Sequence, residues 1–113
     1  MNTVILDGTV QKDVKLFEEI ANFNVSALTG TYRCLDNTTK NRFTYIRVLF
    51  PTEIDERLEE IIQPGCMIRI YGKLDSEPYL TSSNKVVYNK ILCAEKIVRI
   101  RYNHEIGEYV EVL

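Results

Sequence analysis

At 113 residues, the chain is long enough for one hydrophobic core and too short for two. With 45% apolar and 27% charged residues, and apolar runs of only a few residues, its composition is that of a water-soluble domain and excludes a membrane-spanning helix. The net charge of −2 excludes a uniformly basic surface, but the charge is unevenly spread. Residues 53–60 carry Glu53, Asp55, Glu56, Glu59 and Glu60 against Arg57. Residues 102–113 add Glu105, Glu108 and Glu111, which leaves a surplus of +5 elsewhere. Met1-Asn2-Thr3-Val4 leads into no secretion signal, so a cytoplasmic location is expected. Cys34, Cys66 and Cys93 are odd in number and widely spaced, which fits buried thiols and neither a disulfide framework nor a metal knuckle. His104 is the sole histidine and has no nucleophile or ligand set spaced around it, so neither catalysis nor a metal or other cofactor is expected.

Val4, Leu6, Gly8 and Val10 alternate with Thr3, Ile5, Asp7 and Thr9 as a first strand, and Gly8 within it predicts a bulge or sharp bend. Val14 to Phe17 reads as its continuation. Ala21, Phe23, Val25 and Ala27 give a second strand running to about Cys34. Asp36-Asn37-Thr38-Thr39-Lys40 marks a hairpin, and a third strand follows from Arg42 to Phe50. Thr52 is placed to cap a helix of about ten residues whose Ile54, Leu58, Ile61 and Ile62 form an apolar stripe, stopped by Pro64-Gly65. The fourth strand, Met67 to Leu74, is the most informative run. Ile68, Ile70 and Leu74 share one face, and Met67, Arg69, Tyr71 and Lys73 share the other. Ser76 to Lys85, with Pro78, reads as a long hairpin loop. Val86 to Cys93 is a fifth strand, continued from Glu95 to Tyr102, and Tyr109, Val110, Val112 and Leu113 offer a further short strand.

Three strands, a short helix, then two strands is the order of the OB-fold, an all-β, five-stranded Greek-key barrel with its helix between strands three and four. The expected division is a barrel domain over residues 1–102 and a short extension over 103–113. A strand that is oily inside and carries cations and a ring outside suits a nucleic-acid strand: cations attract phosphates, and a ring offers a plane for a base.

The pattern resembles the bacterial single-stranded DNA-binding protein family over about residues 2–101. Asn2-Thr3-Val4-Ile5-Leu6-Asp7-Gly8 resembles the family's opening strand, and Ile20-Ala21-Asn22-Phe23-Asn24-Val25-Ser26-Ala27 resembles its Val-Ala-Asn-Phe signature. Val48-Leu49-Phe50, Pro64-Gly65 and Ile68-Arg69-Ile70-Tyr71-Gly72-Lys73-Leu74 match later pieces in the same order. The resemblance implies binding of single-stranded DNA without sequence selectivity, protection of unwound strands, and a homo-oligomer, dimer or tetramer, paired through the first strand. The chain ends without the linker and acidic tip that longer members use to recruit partners, so that recruitment is not expected here.

The family stacks bases on aromatic residues, which places Tyr79, Tyr32 and Phe50 as candidates, with Phe43 or Tyr45 for an earlier aromatic of the third strand. If Ile46 and Val48 are core, alternation sends Phe50 inward and makes Tyr45 and Arg47 the binding pair. With Tyr71 and Tyr88 and the cations Arg33, Arg42, Arg69, Lys73 and Lys85, these complete the expected nucleic-acid surface. Lys40 and Lys90 lie in the same segments. Two other binding readings stay open: an OB-fold replication accessory acting mainly through protein contacts, and an RNA-binding module. An OB-fold nuclease would need clustered carboxylates, and Asp7, Asp13 and Asp36 lack that spacing.

Overall fold

The alternating segments form long strands, each buried on one side. In the computed structural model, which describes residues 1–112, the elements are β1 (Val4–Val10), β2 (Lys15–Leu16), β3 (Ala21–Arg33), β4 (Thr39–Phe50), α1 (Glu56–Ile61), β5 (Met67–Leu80), β6 (Val86–Asn103) and β7 (Glu108–Val112). Leu113, expected in the last strand, lies outside the described residues.

β1 pairs antiparallel with β5, β5 with β6, and β3 with β4, while β4 and β6 run parallel. Pairing of Thr9 with Ser26 and of Val10 with Val25 joins β1 back to β3, so the five long strands make a closed circuit. The inward side chains of that circuit are the core: Val10, Phe23, Val25, Val48, Ile62, Ile68, Ile70 and Leu92 are sealed from water. Each such aliphatic or aromatic side chain contributes about 1.5–3 kcal/mol by leaving water.

The helix is shorter than the apolar stripe suggests. It begins at Glu56 because Asp55, not Thr52, is the cap: its carboxylate accepts the Leu58 amide at 2.8 Å. The stripe still works as expected, since Ile61 and Ile62 join the core and Ile54 and Leu58 pack against it. α1 lies between β4 and β5, so it sits where β4 leaves the circuit and β5 returns to it, and it carries Glu56, Glu59 and Glu60 there.

Two further expectations change. Gly8 forms no bulge, because the β1–β5 register runs unbroken through it. A Cβ there would stand 3.1 Å from the Ser26 carbonyl oxygen and 3.3 Å from the Val25 Cβ, so Gly8 lets β1 cross close to β3. The first half of the expected Ser76–Lys85 loop is strand, since β5 continues to Leu80 and only residues 81–85 turn before β6 starts at Val86. Pro78 is tolerated because β5 pairs with β1 only as far as Gly72, which leaves its outer edge open beyond that point. The Asn2 side chain finishes that edge, donating to the Leu74 carbonyl at 2.7 Å and accepting its amide at 3.0 Å.

Candidate nucleic-acid interface

The parallel contact of β4 with β6 covers only Arg47–Leu49 against Ile91–Cys93. Because the two strands run the same way, the segments preceding these residues leave the circuit at one end. There they continue as two hairpin arms, β3–β4 and β5–β6, at the opposite end from α1. Each arm is closed by a tight turn with an Asn at positive φ, Asn37 in the first and Asn84 in the second, a conformation Asn adopts readily. In the first turn Asp36 accepts the Thr38 hydroxyl at 2.6 Å and its amide at 3.1 Å, which holds the Asp36 carboxyl below its usual range.

The arms carry rings that the core does not use. Tyr32, Phe43 and Tyr45 on the first and Tyr79 and Tyr88 on the second are 43–68% exposed, far too open for packing residues. Alternation sorts them by side. Phe43, Tyr45 and Arg47 share the outer side of β4, and Glu77 and Tyr79 share the outer side of β5. Tyr32, Lys40 and Arg42 share the reverse side of the first arm, with the Arg42 guanidinium 5.7 Å from the Tyr32 ring centroid, a cation–π distance. Tyr88 and Lys90 share the reverse side of the second arm, where Lys90 donates to the Ser76 hydroxyl at 3.0 Å. Arg33 and Lys85 flank the two turns. Among the described residues, Arg33, Lys40, Arg42, Lys85 and Lys90 make no ion pair with a carboxylate.

The expected site thus divides. Tyr45 and Arg47 face outward as alternation requires. Phe50 does not: it pairs opposite Ala21, is 8% exposed and belongs to the core, so its ring offers no face to a base. Arg69, Tyr71 and Lys73 share the outer side of β5 with Tyr79 but sit toward its other end. Ten residues separate Arg69 from Tyr79, roughly 33 Å of strand.

These three are also engaged elsewhere. The Arg69 guanidinium grips Asp7 at 2.7 and 2.9 Å, lies 3.6 Å from Glu111 and donates to the Tyr109 carbonyl at 3.3 Å. The bond to Asp7 pushes its pKa further above the usual arginine value. Tyr71 donates to Glu111 at 2.8 Å, which pushes its phenol up from the usual tyrosine range, and Lys73 pairs with Glu95 at 3.5 Å. The anchor for Glu111 is the hairpin at Gly107, whose φ of +70° turns β6 into β7; β7 pairs with β6 and meets the outer side of β5 through Arg69 and Tyr71. There Tyr109 lines an apolar groove with Leu28, Phe43 and Met67.

Glu77 is the member of this face that sequence reasoning missed. Its carboxylate pairs with Arg47 at 2.7 Å, while Arg47 Nε donates to Asn22 Oδ1 at 3.1 Å. Only the parity of β5 beyond Leu74 could have signalled it, and that stretch reads as loop. Together with burial, Asp75 and Glu77 raise the Cys93 thiol above its normal pKa. Among the described residues no His, Cys, Asp and Glu side chains cluster as a metal site, and no helix is long and apolar enough to cross a membrane.

No protein-family model and no curated protein matches the chain by sequence. Many solved structures match it by shape, two single-stranded DNA-binding proteins among them. A Plasmodium falciparum SSB in complex with ssDNA superposes with a TM-score of 0.62 at 18% identity, over 99% of this chain and 95% of that one. A small single-stranded DNA-binding protein from Streptomyces coelicolor superposes with a TM-score of 0.65 at 10% identity, over 93% of this chain and 96% of that one. At such identities the likeness shows the fold alone, an OB-fold.

Proposed function

We propose that the chain binds single-stranded DNA without sequence selectivity in the fork between its two arms, and so protects exposed strands during replication, recombination or repair. The observation that carries this reading is the set of five exposed rings on two hairpins that leave the same end of the circuit, accompanied by cations that have no carboxylate partner among the described residues. The chemistry is capture of the backbone by Arg33, Lys40, Arg42, Lys85 and Lys90, followed by stacking of bases on Tyr45, Tyr79, Tyr32 and Tyr88. No bond is made or broken. The acidic α1 is at the far end of the molecule, where its repulsion is screened over a Debye length of about 8 Å. The shape shared with a protein solved on ssDNA supports the same reading.

A homo-oligomer is supported by one further feature. β1 is paired with β5 along Val4–Thr9, but its other edge meets β3 only at Thr9 and Val10. The open edge, with Ile5 60% exposed beside it, suits a second copy of the same strand in antiparallel pairing. Light scattering of the purified chain measures that state.

Titration with labelled oligo-dT tests the function. Binding should quench tyrosine fluorescence, weaken steeply with salt and be shared by mixed sequences. Binding insensitive to salt, or absent at 50 mM salt, would refute it. Oligo-U at equal salt tests the RNA reading, which predicts tighter binding of the ribose strand.

A further inference from the structure

The Arg47–Glu77 contact reaches across the sheet. β6 lies between β4 and β5, so the two side chains meet over an intervening strand, on the row where Arg47 stands beside Ile91 and Ile91 beside Asp75. Nη1 of Arg47 is 2.7 Å from one Glu77 oxygen and Nη2 is 3.5 Å from the other. Nε is spent on Asn22. The planar fork that a guanidinium would turn toward a phosphate is therefore filled by a carboxylate. Tyr45 precedes Arg47 by two residues on β4 and Tyr79 follows Glu77 by two on β5, so exposed rings flank the pair on both arms.

We propose that this bridge is a latch across the binding face, with Glu77 holding on Arg47 the place of a backbone phosphate until a strand displaces it. The inference rests on the fork being the binding site. A ligand offering phosphates alone must compete with Glu77 for Arg47. A strand that also stacks on Tyr45 or Tyr79 offsets from the rings what it spends on opening the bridge, so the rings supply the preference for base-bearing strands while the latch lowers the affinity of every phosphate ligand that needs Arg47. Both side chains are more than a third exposed, and an ion pair of that kind shifts an equilibrium by no more than about fivefold, so the latch tunes binding without blocking it.

The test uses the full chain as wild type, Glu77→Gln, Arg47→Gln and the double variant, each checked for an unchanged melting curve. Labelled oligo-dT is titrated between 50 and 300 mM NaCl, and inorganic polyphosphate is used as a phosphate-only competitor. Glu77→Gln should tighten oligo-dT about two- to fivefold, steepen the logarithmic salt slope by about 0.7, and lower the inhibition constant of polyphosphate by a similar factor. In the Arg47→Gln background the same change should have no effect. A gain that persists without Arg47 would mean general relief of negative charge and would overturn the latch, as would no gain, a loss, or an unchanged inhibition constant for polyphosphate. Failure of the wild type to bind oligo-dT would instead overturn the binding reading itself, so the two failures are separable.

Discussion

Replacing Arg69 by alanine separates a structural cation from a ligand-binding one. In sequence Arg69 has the outward parity of a phosphate contact. In the structure its guanidinium makes two hydrogen bonds to Asp7, one to the Tyr109 carbonyl and an ion pair with Glu111, with its side chain 20% exposed. Alanine would strand the Asp7 carboxylate and leave the C-terminal hairpin held to β5 by the Tyr71–Glu111 hydrogen bond without the Arg69 contacts. Charge-assisted hydrogen bonds contribute about 1.5–3 kcal/mol each when well buried, whereas exposed pairs contribute less than about 1. Partly exposed acidic partners bring the expected loss to about 1–2 kcal/mol for the whole cluster. For a domain of this size that lowers the melting temperature by roughly 4–8 °C. Thermal melts at 50 and 500 mM NaCl measure it, and the deficit should shrink at high salt as the pairs are screened. The oligo-dT salt slope should not change. An unaltered melt with a slope flattened by about one ion would show that Arg69 contacts phosphate and would refute the argument.

Tyr45→Ala and Tyr79→Ala should each weaken oligo-dT binding by about 1–3 kcal/mol with little change in salt slope, read by fluorescence titration; equal, negligible effects would move the binding face elsewhere. Phe50→Ala should cost about 3–5 kcal/mol of stability in denaturant unfolding, because it removes a core ring and leaves a cavity. Gly72→Ala should fail to reach the native fold, since a Cβ there would overlap the Cys93 carbonyl where the β5–β6 register shifts, and circular dichroism would show it. Tyr71 has a raised folded-state pKa, so the stability its phenol contributes is fully present below the unfolded value near 10 and is lost as pH rises through the folded one. Unfolding from pH 8 to 11 should therefore show a decline that Tyr71→Phe lacks.

Alternation with a period of two determined most of this protein by itself. It located β1, β3, β4, the first half of β5 and β6, and it gave the inward residues of β3 and of the start of β5, whereas β6 buries the adjacent pairs Ile91–Leu92 and Ile97–Val98 that a period of two does not give. It also decided Tyr45 and Arg47 against Phe50, because residues two apart on a strand cannot face opposite sides without a bulge, and the β4 register is unbroken from Thr44 to Phe50. Helix length was misread because Thr52 and Asp55 are both capping residue types, and only the local backbone selected Asp55 over Thr52. The long β5–β6 arm was hidden because Pro78 and the Ser and Asn residues read as loop. The missing pairing edge that makes a proline harmless there is a property of the neighbouring strand. Ion pairing was beyond sequence altogether. Asp7 and Arg69 are 62 positions apart, Arg47 and Glu77 are 30 apart, and their partnership depends on strand register and twist. One-dimensional pattern fixes which side of its strand a residue occupies, but which opposite charge stands beside it is set by the packing of strands that are distant in the chain. Tertiary structure alone therefore decided which cations stay free for a ligand.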